Sequence, residues 1–377
     1  MKAVSVKSKK ITDLLRGLFF VGLACFGISG VFGFIDSFET FSDILSIAGI
    51  SFTTLSVVLN IVNKRLYGQR RLLLMIPIIL VAFLSYIIVR DFTVLKLLLI
   101  MLGSLVVPFK QIVSFDLKVR VAVVCLVMIL SAFAIIPSGD VLRASGEVRH
   151  ALGFAHPNIL GMYILIIVLE MNYLFLRHKK ALIVFNMLSI LFELLVPNSR
   201  MPAVIIGAMM IYVLARDLVN KILVKKVVRW IVVGSFVIFS SVSIVFGVVG
   251  PSGEFFGGLN KITSNRLNLY HKAMETTDIT ILGNSKENNV HNSVLLDNAY
   301  LELLLTFGVL QMLIYLIFSV QTYRALYEKK DYALILILFL MGWFGLAETA
   351  YIYVTVNIFL ASYGILLTGK ENENKRR

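Results

Sequence analysis

The sequence predicts an all-α polytopic membrane protein with about twelve transmembrane helices, and three observations predict it. Of its 377 residues 58% are apolar and only 15% charged, giving a mean hydropathy of +0.88, outside the range of a soluble domain. Apolar runs of roughly 18 to 22 residues recur along the chain, and each reaches across a hydrocarbon core of about 30 Å at ~1.5 Å per residue. Lys and Arg gather in short clusters between those runs, so a formal charge of +14 reads as positive-inside patterning and not as a nucleic-acid surface.

Taken in order, the runs place spans at 17 to 35, 42 to 62, 72 to 89, 92 to 109, 119 to 137 and 157 to 176. Six more follow at 181 to 197, 202 to 219, 229 to 249, 295 to 320, 332 to 347 and 351 to 368, the tenth being the longest and the one expected to tilt. Lys7, Lys9 and Lys10 before the first run imitate a secretory signal, but no small-x-small cleavage site follows, so this run is read as a retained helix. Cys25 and Cys125 both fall within apolar runs, giving neither a disulfide framework nor a thiolate metal site.

Seven basic clusters set the orientation: the N-terminal one, Lys64/Arg65/Arg70/Arg71, Lys110/Lys118/Arg120, Arg177/Lys179/Lys180, Lys221/Lys225/Lys226/Arg229, Arg324/Lys329/Lys330 and Lys375/Arg376/Arg377. All fall on one side if the twelve spans alternate, which puts both termini in the cytoplasm. The connections 36 to 41, 138 to 156, 198 to 201 and 250 to 294 then lie outside. No linker or repeat divides residues 1 to 377, so the expectation is one membrane domain with a long outer loop, 250 to 294, between spans nine and ten. That loop opens on glycines and Pro251, and a helix is expected around Asn265 to Glu275.

Basic residues that map outside against the rule include Arg143, Arg149, Arg200, Lys261, Arg266 and Lys272. Fixed guanidinium groups at a membrane surface suit a diphosphate, because Arg meets phosphate oxygens with a planar fork and stays charged. The plainer account is solvation, or pairing with Asp140, Glu147, Glu254 and Glu275. Three motifs surround these residues. Arg149-His150-Ala151-Leu152-Gly153-Phe154-Ala155-His156-Pro157-Asn158 leads into a span with Pro in its first turn, leaving His156 and Asn158 at the outer mouth, where His156 is either a base or an interfacial cap. Pro197-Asn198-Ser199-Arg200-Met201-Pro202 is a tight turn, with Glu193 one helical turn inside and Arg200 its expected ion-pair partner. The third stretch runs from Arg266 through Gly283-Asn284 and His291-Asn292 to Asp297-Asn298-Ala299-Tyr300-Leu301-Glu302 and Gly308; Asp297 there is either reactive or a helix cap. Asp43, Lys96 and Glu170 lie near span ends and carry no assigned role. Walker, dinucleotide, HExxH and paired-Cys signatures are absent.

These motifs, in this order, resemble the Wzy-type polysaccharide repeat-unit polymerases of the wider O-antigen polymerase and ligase superfamily, over the C-terminal two thirds of the chain. The resemblance implies a metal-independent, inverting glycosyltransferase of the bacterial cytoplasmic membrane, making capsule, exopolysaccharide or O-antigen without a cofactor. It implies transfer of a growing glycan from undecaprenyl diphosphate to a hydroxyl of a fresh lipid-linked repeat unit, with flippase and chain-length regulator proteins as partners and no nucleic acid. Arg149, Arg200 and Arg266 would hold the diphosphate, and His156, Asp297 or His291 would act as base. Asn158, Ser199, Asn298 and Tyr300 would contact substrate. Ligases of the superfamily begin the last motif with His-Asn where this chain has Asp297-Asn298, which disfavours ligation. The rival readings are a transporter or lipid flippase, and a membrane protein whose outer loop binds a partner.

Overall fold

The computed structural model describes residues 2–62, 69–143 and 146–367, so Lys64/Arg65 and Lys375/Arg376/Arg377 lie outside the described residues. Helices α1 (Lys2–Phe32), α2 (Glu39–Val62), α3 (Gln69–Val89), α4 (Thr93–Gly103) and α5 (Phe109–Ala132) precede a small antiparallel hairpin. In it β1 (Val141–Leu142) pairs with β2 (Val148–Arg149), Val141 opposite Arg149. Helices α6 (Pro157–Phe175), α7 (Lys179–Leu195), α8 (Arg200–Leu214), α9 (Arg216–Val224), α10 (Lys226–Val233) and α11 (Ser235–Val249) follow. The remainder comprises α12 (Gly253–Ile262), α13 (Arg266–Thr276), α14 (Ala299–Leu305), α15 (Val309–Lys329), α16 (Tyr332–Phe344) and a final 3-10 run, Ile358–Leu367.

Among the described residues four helices are long and apolar enough to cross a membrane: Ile11–Phe32, Glu39–Val62, Pro157–Phe175 and Val309–Lys329. The number rises to six if α8 with α9, bent by 98°, and α10 with α11, bent by 58°, each count as one span. Their burial is inside out with respect to a soluble helix. On α2, Ser42, Ser46, Gly49, Thr53, Ser56 and Asn60 are buried while Ile44, Ile47, Leu55, Val58 and Ile61 are exposed. Likewise α7 buries Asn186, Ser189 and Glu193 and exposes Val184, Leu188 and Leu191. Small and polar contact faces with apolar outer faces are what lipid-embedded helices show, because hydrocarbon gives no incentive to hide leucine.

The chain divides into two compact units, residues 1–66 with 99–221, and 67–98 with 222–377. In the first, α1 and α2 pack through small residues: a Cβ on Gly22 would stand 2.5 Å from the Thr53 methyl, and Ser29 and Ser42 each donate to the other's carbonyl at 2.8 and 2.9 Å. Helix α5 packs on α1 and α6, and α7 and α8 form a hairpin against α6. Gly161 lets α6 approach, since a Cβ there would meet Glu193 Oε2 at 2.7 Å and Ser199 Cβ at 2.8 Å. Arg120, expected among the inner surface cations, is instead 1% exposed, bound within the helices to Asp116 and Glu170. A guanidinium flanked by two carboxylates is solvated by them in place of water.

In the second unit α11 packs on α13, α14 and α16, around a cluster of Tyr270, Ala273, Val290, Val294, Leu296, Leu301 and Leu305. The expected tenth span is not one tilted helix. It breaks between α14 and α15 at Gly308, whose φ is +89° and whose added Cβ would meet the Gly283 nitrogen at 2.4 Å. The segment 278–284 packs into the break and satisfies its backbone. Val309 N donates to Thr280 O, Leu310 N to Ile281 O, and Asn284 Nδ2 to Leu305 O. A break costs little when another segment supplies its hydrogen bonds. The expected last span, 351 to 368, holds the 3-10 run in place of an α-helix within its described part.

Candidate functional site

Each unit gathers part of the expected set. In the first, the hairpin β1–β2 holds Arg149 at the start of α6 and beside the α7–α8 turn. Its side chain is buried; Nε donates to Pro197 O at 2.8 Å, and Nη2 donates to Asn158 Oδ1 at 2.5 Å and Ser199 Oγ at 3.4 Å. One guanidinium thereby joins the two motifs that the sequence set 50 residues apart. Arg143 braces the same turn from the hairpin's other strand, reaching Asn198 Oδ1 at 3.1 Å and Asn198 O at 3.3 Å. The Asn198 φ of 49° is left-handed, a conformation Asn tolerates better than most residues.

Ser199 caps α8 by position, yet its hydroxyl makes no capping bond. The first amides of α8, Arg200 and Met201, therefore have no intrahelical acceptor, and this end of the helix is electropositive. Arg200 is exposed there and forms no ion pair among the described residues. The expected pairing with Glu193 is absent: the Glu193 carboxylate is buried without a hydrogen-bond partner, tucked against Gly161 and Ser199. The backbone accounts for this, because Ser199 N binds Glu193 O at 2.8 Å and turns the chain so that Arg200 starts a new helix.

His156 caps α6. Its Nδ1 accepts from Asn158 N at 3.1 Å, and the neutral ring then carries its proton on Nε2. That nitrogen donates; it does not abstract, so the base role expected of His156 is disfavoured by the local geometry. A His–carboxylate contact exists nearby in His150, whose Nδ1 lies 3.0 Å from Asp140 Oδ2. Slight burial pushes the Asp140 carboxyl up, but the Ala151 N–H and the His150 ring outweigh it and hold the group below its usual range.

In the second unit Asn265, left-handed at φ 64°, opens α13 and sets Arg266 on its first turn. Arg266 Nη2 lies 3.0 Å from Glu348 Oε1 and 3.6 Å from Asp297 Oδ2, while Nη1 has no hydrogen-bond acceptor. Burial works against the charge, and Glu348, Tyr270 and Asp297 outweigh it, so the guanidinium stays ionised. Burial pushes the Tyr270 phenol up to about 12, and its hydroxyl donates to Leu346 O at 2.7 Å and Asp297 O at 3.1 Å. Asp297 is thus a counter-ion of Arg266, and a carboxylate beside a cation is a weakened base.

Asn298, not Asp297, caps α14. Its Oδ1 accepts from Tyr300 N and Leu301 N at 3.0 Å each, and its Nδ2 donates to Ser243 Oγ and Leu346 O. Tyr300 is 1% exposed, its hydroxyl bonded to Gly342 O at 2.8 Å. The substrate contacts expected of Asn298 and Tyr300 are corrected accordingly: both side chains are committed to the helix packing.

His291 differs from every other candidate. Its ring is 43% exposed, and Nε2 lies 2.9 Å from Glu302 Oε2, a carboxylate only 1% exposed. The contact is an ion pair out of hydrogen-bond alignment; the Glu302 carboxylate raises the imidazole pKa most, burial opposes this, and Asp91 and Asp297 add attraction for the proton. Glu302 closes the Asp297–Glu302 stretch of the sequence but was given no role there, and Glu348 and Asp91 were not singled out. Glu302 stands four residues after Asn298, and its charge in an apolar run was the signal that could have found it. Among the described residues no group of three or more His, Cys, Asp or Glu is placed to hold a metal ion. Lys261 and Lys272 form no ion pair among the described residues, whereas Glu147 meets Arg143 at 3.8 Å and Glu275 meets His271 at 3.3 Å.

No protein-family model, curated protein or solved structure matches this chain.

Proposed function

We propose that this protein polymerises undecaprenyl-diphosphate-linked oligosaccharide repeat units on the outer face of a bacterial cytoplasmic membrane. The observation that carries the reading is the His291–Glu302 contact, an accessible imidazole held by a buried carboxylate. In that arrangement Glu302 fixes the ring and stabilises its protonated form, and Nδ1 is left to take the proton of an attacking sugar hydroxyl. Displacement in one step inverts the anomeric carbon. Negative charge develops on the leaving diphosphate, and cationic forks lower that barrier. The first unit offers Arg149 and Arg200 with the open amides of α8 as such donors, and the second, which holds His291, offers Nη1 of Arg266. A span count of twelve follows if α5, α7, the bent pairs, the α14–α15 pair and the shorter apolar helices each cross once, with both termini inside.

The test is reconstitution. Protein in nanodiscs is given undecaprenyl-diphosphate-linked glycan extracted from the host, and products are resolved by gel. A ladder of repeat units that His291→Ala abolishes supports the proposal, and no ladder from well-folded protein rejects it. A second reading, a transporter or flippase, is favoured by one observation: Asp116, Arg120 and Glu170 are ionisable groups buried among the helices, as in ion-coupled carriers. It predicts movement of lipid-linked glycan between leaflets with no increase in chain length.

A further inference from the structure

Helices α5 and α6 meet at Asp116, Arg120 and Glu170, whose side chains are 2, 1 and 0% exposed. The Arg120 guanidinium forks onto Asp116 Oδ2, Nη2 at 2.5 Å and Nε at 3.1 Å. Glu170 lies on the other flank, with Oε1 3.5 Å from Nε, beyond a good hydrogen bond, and faces Asp116 as well. The Tyr163 ring covers the guanidinium with its centroid 5.6 Å away, and its hydroxyl is committed to Gly30 O at 2.6 Å. From α1 the neighbour is Gly27, where an added Cβ would stand 3.7 Å from Asp116 Oδ1.

Among the described residues the neighbouring helices bring no further charge into ion-pair range of the cluster. On α7 Glu193 sits against Gly161 and Lys179 reaches Leu214 O; on α8 Arg200 is exposed, as are Lys110 and Lys118 on α5. Arg120 is therefore the one cation in ion-pair range of either carboxylate among the described residues. Two carboxylates against one guanidinium, all three at most 2% exposed, leave a net negative charge that burial does not tolerate. A group so placed takes up a proton instead of keeping its charge.

We propose that Asp116, Arg120 and Glu170 form a proton-binding site that holds one proton at neutral pH, with Glu170 as its carrier. Asp116 keeps the short fork to Arg120. Glu170, lacking such a fork, takes the proton and shares it toward Asp116. The site is distinct from the residues assigned to glycan transfer and stands whether or not that assignment holds.

Infrared spectroscopy of the protein in nanodiscs tests it, through the carbonyl stretch of a protonated carboxylic acid and its shift in D2O. A Glu193→Gln, Glu302→Gln background silences the other buried carboxyls. The expected result is a band at neutral pH in that background, lost entirely on adding either Glu170→Gln or Asp116→Asn, since each leaves one carboxylate for one guanidinium. The paired variants keep the test open if one of them fails to fold. Absence of the band in the background, its survival in a folded variant, or its appearance only when sodium is withdrawn would overturn the proposal, the last by assigning an alkali cation to the site.

Discussion

His291 Nε2 stands 2.9 Å from Glu302 Oε2, pairing an imidazole open to solvent with a carboxylate that is not. The contact joins a short 3-10 turn, Val290–Asn292, to α14. Because the contact raises the pKa of His291, a transfer reaction that uses this base rises with pH through a value above the usual ~6.5 of histidine. Glu302→Gln removes the largest cause, so the acid limb of the pH–rate profile moves to lower pH, and a proton NMR titration of His291 moves with it. An unmoved limb would separate His291 from the chemistry. The sign for stability is opposite in sense: the contact's contribution is full below about pH 6.5 and is lost as pH rises through the raised folded-state value.

Replacing an arginine fork by a lysine point charge tests the diphosphate donors. Arg149→Lys cannot serve Pro197 O and Asn158 Oδ1 together, and loses charge-assisted bonds within the protein of about 1.5–3 kcal/mol; a loss of that size in a fork onto the leaving diphosphate is roughly 10- to 100-fold in transfer rate. Arg200→Lys and Arg266→Lys are expected to lose polymer to a similar degree while inserting normally. Polymer gels alongside immunoblots of membrane fractions measure this, and near-normal polymer from all three removes the diphosphate role.

Asn298 is expected to matter for folding, not for binding. Asn298→Ala strips a two-amide helix cap, about 0.5–2 kcal/mol, and leaves the buried Ser243 Oγ without its Asn298 donor. A thermal scan in detergent should show a marked fall in unfolding temperature; an unchanged transition with altered substrate affinity would return Asn298 to the binding set.

Orientation has its own test. In a background free of Cys25 and Cys125, a cysteine placed within 255 to 290 is expected to react with an impermeant reagent from outside, and one within 64 to 71 is not. The opposite pattern inverts the topology and takes the transfer reading with it.

Much of the helical framework was legible, because a lipid-crossing run announces itself by length. Expected spans at 42 to 62 and 157 to 176 became Glu39–Val62 and Pro157–Phe175, and the helix expected around Asn265 to Glu275 became Arg266–Thr276. Breaks were not legible, since Leu305 to Val309 carries no charge through the interruption and Gly308, with segment 278–284 folded against it, reveals why the helix stops. Arg149 and Ser199 could be named but not joined, and the Arg266–Glu348 pair, 82 residues apart, is a tertiary fact that no local pattern carries. Arg120 misled for a similar reason. Its place beside Lys118 looked like an inner-surface cluster, and only the Asp116 and Glu170 carboxylates make burial tolerable.

The measurement that bears most directly on repeat-unit polymerisation is deletion of the gene in its host, with surface polysaccharide resolved by gel and lipid-linked glycans extracted and assigned to a membrane face. The account predicts that long chains vanish, that single repeat units collect on the outer face, and that wild-type protein restores the chains while His291→Ala does not. Repeat units confined to the cytoplasmic face, or an unchanged glycan profile, would contradict it.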